Sequence, residues 1–326
     1  MAACVLLSAL GFALGSRFVS KATAAAGAVA APAAAWLLTQ ATYPGGVDTV
    51  AFPFGLFVGL AGAPLLTSLS RKAFVLRRAR QTVPLTVGAV AVLGFSAFWV
   101  GSTNPHVTWL GDLKSHGDRS RPVVALTFDD GPNPDYSLEV ARILDERGVK
   151  GTFFEVGKAA VERPDITAAL VADGQVVANH SYLHDALRYL DPRYPELDRA
   201  ERALAGASGV CPAFFRPPHG AHTPFMWRAL SNRGMTMITW DVSAQDWVET
   251  DPDRLAANIL AKVKPGSIIL LHDGLDGNIP ADRSVVVKAL PAILDGLQAR
   301  GLTPVTVPEL LLRPAYLSDS ECDRFR

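Results

Sequence analysis

Cysteine is scarce. The 326 residues hold three, none spaced as in a zinc finger or ribbon, so a cysteine-held structural ion is excluded and any metal must be bound by histidine and carboxylate. Cys4 lies in an apolar run, which leaves Cys211 and Cys322 as the only pair able to bridge in the polar part. Their spacing gives no reason to pair them, and the fold is read as independent of a bridge. Excess charge of one sign is also missing: Lys plus Arg and Asp plus Glu number 31 each. No global field gathers nucleic acid, so a nucleic-acid partner is not expected. No feature calls for an obligate protein partner either.

Charge is nearly absent from residues 1–16, 22–38, 50–68 and 83–100, each close to the length that crosses about 30 Å of hydrocarbon. Buried soluble helices would each keep a polar face, and these runs leave none; four membrane helices in contact with lipid are the simpler reading. Arg17 and Lys21 follow the first run, and Arg71, Lys72, Arg77, Arg78 and Arg80 follow the third, so those loops are expected in the cytoplasm. The 42–49 loop carries only Asp48 and is expected outside, which also delivers everything after Gly101 to the extracytoplasmic side. The first run is short and lacks the positive start of a secretory signal. The expected organisation is a membrane region over 1–101, a linker over 102–120, a catalytic domain over 121–312 and a tail over 313–326. The tail adds a short helix, and its last residues have no assigned role.

From Arg121 the pattern changes to short β-rich runs at 123–128, 152–156, 175–179, 213–216, 235–240, 267–272 and 304–307. Amphipathic stretches fall between them at 137–147, 195–205, 224–233, 253–263 and 284–300. Alternation of this kind implies parallel pairing with right-handed crossovers, and seven units suit a barrel, giving an α/β fold preceded by an all-α membrane region. In such barrels functional residues gather at the carboxyl ends of strands. Asp129 and Asp130, His180, Arg216 and His272 all fall where an apolar run stops.

Adjacent carboxylates at a strand end are expected to point to opposite sides, so that Asp129 and Asp130 can take different roles. Alone, Asp-Gly-Pro is also an ordinary turn sequence. His180 and His184 are four residues apart, a spacing that one helical turn brings to a common face. With Asp130 they compose a His, His, Asp set that leaves open coordination positions, the arrangement of a catalytic rather than structural zinc.

In this order the elements resemble the NodB-type polysaccharide deacetylases, the family 4 carbohydrate esterases, over nearly the whole stretch from Val123 to Leu310. The resemblance implies a distorted (β/α)7 barrel and a metal-dependent hydrolase that removes acetyl groups from N-acetylated polysaccharides or oligosaccharides. Thr127–Gly131 is similar to the family's first motif, implying Asp129 as base and Asp130 as metal ligand. His180–His184 matches the second, implying both histidines as ligands. Arg216–Gly220 looks like the third, implying that Arg216 orients the base and that the backbone of His219 helps hold the oxyanion. Leu270–His272 is similar to the fifth, implying His272 as general acid and Leu270 beside the substrate. Trp247 and Asp246, from the fourth motif, are expected to line the substrate site.

Two departures stand out. His219 occupies a position where the family usually has an aromatic Tyr or Trp. Ser243 replaces the first Asp of the fourth motif, the residue credited with tuning the acid; Asp241 or Asp246 is left to substitute. The implied cofactor is a divalent ion, zinc first, although cobalt and nickel suit the same donors.

Overall fold

The structure is a computed structural model and describes residues 94, 97–98, 100–109, 111–185, 188–189 and 191–325. The first three apolar runs and most of the fourth lie outside the described residues, and with them the expected membrane helices. Among the described residues no helix is long and apolar enough to cross a membrane. Pro105–Arg326 forms one compact unit.

Nine strands make a single all-parallel sheet: β1 (Leu113–Lys114), β2 (Val123–Asp129), β3 (Thr152–Glu155), β4 (Val176–Asn179), β5 (Phe214–Phe215), β6 (Thr236–Ile238), β7 (Val242–Ser243), β8 (Ile268–His272) and β9 (Thr303–Val305). Their order is β1-β6-β5-β4-β3-β2-β8-β7, with β9 added on β2. Parallel strands buried on both faces need continuous apolar runs, and β2 supplies one, Val-Val-Ala-Leu-Thr-Phe-Asp. Its alternation divides two cores. Val124, Leu126 and Phe128 face outward into a cluster with Val140, Leu144, Ile259, Leu290 and Ile293. Those partners come from the flanking helices α1 (Ser137–Glu146), α6 (Pro252–Lys262) and α7 (Ser284–Ala299). Ala125 faces inward with Phe154, Ala178, Phe214, Ile238 and Ile268, closed from below by Val307 and Leu310 of α8 (Val307–Leu311).

The seven-strand expectation is corrected in count and in closure. β1 lies in the stretch read as linker, and Leu113 is buried; β7 is a separate two-residue strand after β6. Among the described residues no pairing joins β1 to β7, so the sheet curls into an open half-barrel. Two further helices, α2 (Gly157–Glu162) and α3 (Pro164–Ala172), follow β3 beyond the stretches named from sequence. The other expected helices form as α4 (Pro195–Ser208), α5 (Met226–Ser231), α6 and α7, with α9 (Asp319–Cys322) in the tail.

The pairing of the two cysteines, left open by their spacing, is formed here. Cys211 and Cys322 form a disulfide with their Cα atoms 5.6 Å apart. Cys322 and Phe325 are buried with Ala205 and Cys211, and Tyr316 Oη accepts a hydrogen bond from Val177 N at 3.3 Å. The tail is thus part of the packed fold. A crosslink that closes so long a loop constrains the unfolded chain, with an effect on the order of 2–4 kcal/mol.

Candidate active site and metal centre

Register decides which strand-end residues meet. Asp129 pairs with Phe154 of β3 on one side and with His272 of β8 on the other, so the expected base and acid are cross-strand neighbours. Asp129 is 2% exposed. Its Oδ1 accepts a 2.5 Å hydrogen bond from the Arg216 guanidinium, which is itself fully buried. Arg216 also donates to Thr127 Oγ1 at 2.8 Å and to Thr239 O at 3.2 Å, and its guanidinium lies 4.0 Å over the Phe154 ring. Burial pulls the Arg216 pKa down and Asp129 opposes the shift. With several donors satisfied and a carboxylate in contact, the guanidinium stays charged.

Asp130 follows with φ 77°, a left-handed conformation that turns its side chain out of the strand alternation. The two aspartates therefore do not point apart, as the pleat alone implies. His180 Nε2 lies 3.6 Å from Asp129 Oδ2 and 3.4 Å from Asp130 Oδ1, so both carboxylates reach the same imidazole. His184 Nε2 lies 3.2 Å from Asp130 Oδ1. The ligand atoms of Asp130, His180 and His184 are all within 4.8 Å of one another.

The 180–184 segment is a loop, not the helical turn read from its spacing; Ser181 and His184 have φ of 73° and 56°. Side chains fold it locally. Asn179 Oδ1 accepts from Ser181 N at 2.8 Å, Ser181 Oγ accepts from His184 N at 2.8 Å, and Asn179 Nδ2 donates to the buried Glu201 at 2.7 Å. The bent loop brings the two rings within 4.9 Å. His180 Nδ1 is 2.8 Å from Arg216 O; a carbonyl only accepts, so Nδ1 carries a proton, and Nε2, on the aspartate side, is the atom an ion would use.

Asp130 Oδ1 is buried and makes no hydrogen bond. An anionic oxygen left unpaired beside two imidazole nitrogens is costly in protein alone, and one oxygen with two nitrogens is a donor set suited to a divalent transition ion. The residues present fit such an ion.

His272 is largely buried, its side chain 14% exposed. Its Nδ1 lies 3.0 Å from Asp246 Oδ1, and its main-chain N–H donates to Asp246 Oδ2 at 2.8 Å. Asp246 is the carboxylate that stands in for the Asp missing at Ser243; Asp241 is instead held by Arg119, Ser267 and the Ile268 N–H. Asp246 is buried with both oxygens on His272. Burial alone lowers the His272 pKa, but Asp246, with Asp130 and Asp129, outweighs it and pushes the ring up to about 9. This folded-state pKa is raised from 6.5, so the interaction stabilises the fold fully below about 6.5 and is lost as pH rises through about 9.

Trp247 packs edge-on against His272 with ring centroids 5.3 Å apart. Leu270 is on the same face of β8 as His272, two residues before it. His219 has φ 56° within the Pro218–Gly220 turn, and its ring stands edge-on 4.8 Å from His184. Burial, with His184 beside it, pulls its pKa down to about 4, which keeps this ring neutral.

Several participants had no role assigned from sequence. Thr127 and Ser181 lie inside the first and second motifs and Asn179 just before the second, but their importance depends on what they touch. Glu155 and Asp273 are fully buried carboxyls that burial pushes up to about 8 and about 7. Asp273 accepts a hydrogen bond from Ser137 Oγ behind the site. Asp276, which lies 2.8 Å from His184 Nδ1, belongs to a loop with no motif.

A family model described as polysaccharide deacetylase matches residues 116–238. The chain is 34% identical over 209 residues to a chitooligosaccharide deacetylase of Bradyrhizobium sp. (strain ANU 289), covering 61% of this chain and 93% of that protein. Among solved structures, it superposes with a TM-score of 0.59 on a peptidoglycan N-acetylglucosamine deacetylase in complex with an N-oxidanyl-benzamide, at 28% identity, covering 63% of this chain and 95% of the other. A family 4 pseudoenzyme from Bacillus anthracis is similar at a TM-score of 0.56 and 26% identity, over 61% of this chain and 68% of that one.

Proposed function

We propose, from the premise that this chain belongs to the polysaccharide deacetylase family, the NodB-type family 4 carbohydrate esterases, that it is a membrane-anchored, metal-dependent enzyme. Members hydrolyse the acetamide of N-acetylated sugars to acetate and a free amine. The substrate proposed here is N-acetylglucosamine in peptidoglycan or a chitin-like glycan, the chemistry that the named relatives share. One of the similar structures is a pseudoenzyme, so fold alone does not establish catalysis. The observation that carries the reading is the complete cluster: Asp130, His180 and His184 within 4.8 Å, beside an Asp129 that is in register with His272.

The three ligands would hold a divalent ion, zinc first, which when bound supplies Lewis acidity to the acetamide carbonyl and to the attacking water. Arg216 fixes Asp129 Oδ1 and leaves Oδ2 toward the cluster; that oxygen takes the proton of the water as it attacks. The backbone N–H of His219 donates to the developing oxyanion, a preorganised dipole that needs no reorganisation during the reaction. His272, kept protonated by Asp246, gives its proton to the departing nitrogen, because an unprotonated amine anion is a very poor leaving group. Trp247 and Leu270 wall the space for the acetyl methyl.

Acetate release from a panel of acetylated glycans by the full chain, with and without chelator, tests the reading. Release is expected from N-acetylglucosamine polymers and lost with chelator; a metal-loaded chain that releases none from any of them overturns it. The apolar 1–101 region and its basic loops support a membrane anchor with the 121–312 domain outside the cell. After cell breakage the activity should stay with the membrane pellet through an alkaline wash, and recovery in the supernatant would refute the anchor.

Asp246→Asn tests the acid assignment. An ion at Asp130 offsets the influence of Asp130 and Asp129 on His272, which leaves Asp246 as the main support of its proton. Activity is expected to fall as pH rises through the His272 pKa, and the variant should move that alkaline limb down toward 6.5. An unmoved limb assigns it to another group.

A further inference from the structure

We infer that Asp276 is a positioning residue that sets two of the three metal ligands: its carboxylate orients the His184 ring and its main-chain N–H orients the Asp130 carboxylate. This rests on the metal centre proposed above and goes beyond it, since Asp276 lies in no motif and touches no reacting atom.

The two histidines are supported differently. His180 is held by main chain, its Nδ1 donating to Arg216 O. For His184 the same position is taken by a side chain, with Asp276 Oδ1 2.8 Å from Nδ1, approached obliquely. A carboxylate on Nδ1 keeps the proton there, presents the Nε2 lone pair to an ion and raises the basicity of the ring. Meanwhile Asp276 N donates to Asp130 Oδ2 at 3.0 Å. That bond occupies one oxygen and leaves Oδ1, the orphaned atom, facing both histidine Nε2 atoms. A single residue thus selects the ring face of one ligand and the oxygen of another.

Backbone geometry brings it there. The loop leaves β8 at His272 and crosses the Asp130 backbone so closely that a Cβ at Gly274 would lie 2.2 Å from Asp130 O. Asp273 N and Gly274 N both donate to Asp129 O, at 3.1 and 3.2 Å. Asp276 then takes φ 51°, and Gly277 follows at φ 68° where a Cβ would meet Val156 Cγ1 at 2.6 Å. The segment that carries the acid histidine therefore continues directly into the clamp on the metal ligands. The His184 ring also meets His219 edge-on, 4.8 Å away, and one polar atom each of His184, His219 and Asp276 lies within 4.8 Å of the others.

The test is Zn2+ affinity of the full chain, measured by competition with a chromophoric chelator, together with the visible spectrum of the Co2+ form. Asp276→Ala is expected to weaken Zn2+ binding by about 100-fold and Asp276→Asn by about 10-fold, the range for loss of an outer partner to a metal-bound histidine. The Co2+ spectrum should change in both, while the metal-free thermal midpoint stays with the parent, because the side chain is 52% exposed. Asp276→Asn is nearly isosteric and carries the test if the alanine variant does not fold. Asp130→Ala separates the two ideas. If it leaves Zn2+ binding intact, the metal centre itself is wrong. If it abolishes binding while Asp276→Asn and Asp276→Ala both stay within about twofold of the parent, the Asp276 carboxylate does not position His184 and the inference fails.

Discussion

Asp129→Asn is expected to lower kcat by about 10² or more, the scale of acid–base catalysis, while the chain still binds its ion. The amide keeps the shape and still accepts from Arg216, but it cannot take a proton. Among the described residues no other carboxylate is placed to replace it: Asp130 is committed to the histidines and to Asp276, Asp246 to His272, Asp276 lies against His184, and Asp273 is buried against Ser137. Metal content and thermal midpoint should be measured with the rate, since only a loaded, folded variant reports on the base. Full activity in such a variant would remove Asp129 from its role.

Arg216→Met is expected to destabilise the fold by about 3–5 kcal/mol, the cost of leaving one partner of a buried ion pair alone. Both side chains are almost completely enclosed, at 0% and 3% exposure, so water cannot take over for the guanidinium. Asp129 would then face Asp130 without a counter-charge, Thr127 Oγ1 would lose its donor and Thr239 O its partner. Arg216→Lys should not rescue the variant, because a single ammonium cannot reproduce a fork that reaches Asp129, Thr127 and Thr239 together. Urea unfolding gives the measurement. A midpoint that corresponds to a loss under about 1 kcal/mol would mean that the pair is not the internal strut described here.

Both effects hang on residues that were visible in the sequence, yet their connections were not. Strand β2 and its terminal aspartates were readable because seven residues with one apolar core pattern admit few alternatives. The two-residue strands β1 and β7 were not, since a pair of residues has no period and pairs only because a neighbour offers a free edge. The His180–His184 spacing was read as a helical turn; Asn179 and Ser181 bend it into a loop instead, and the same two nitrogens still converge. Asp129 and Asp130 were assigned to opposite sides by the pleat, but the strand ends at Asp129 and a positive φ at Asp130 swings the second carboxylate round. The Ser243 departure leaves two candidate partners for the acid histidine, Asp241 and Asp246, and Asp246 takes that place through the turn after β7.

The chemistry available is legible in the primary structure: which carboxylates, imidazoles and guanidinium stand at strand ends, in what order, and hence the family. Strand ends are local events, written where an apolar run stops. Tertiary structure alone decided the closure of the sheet, the Cys211–Cys322 bridge, the Asp246–His272 pair and the place of Asp276. Each of these is a contact between segments far apart in the chain, and such contacts depend on register and loop path, which no local pattern encodes.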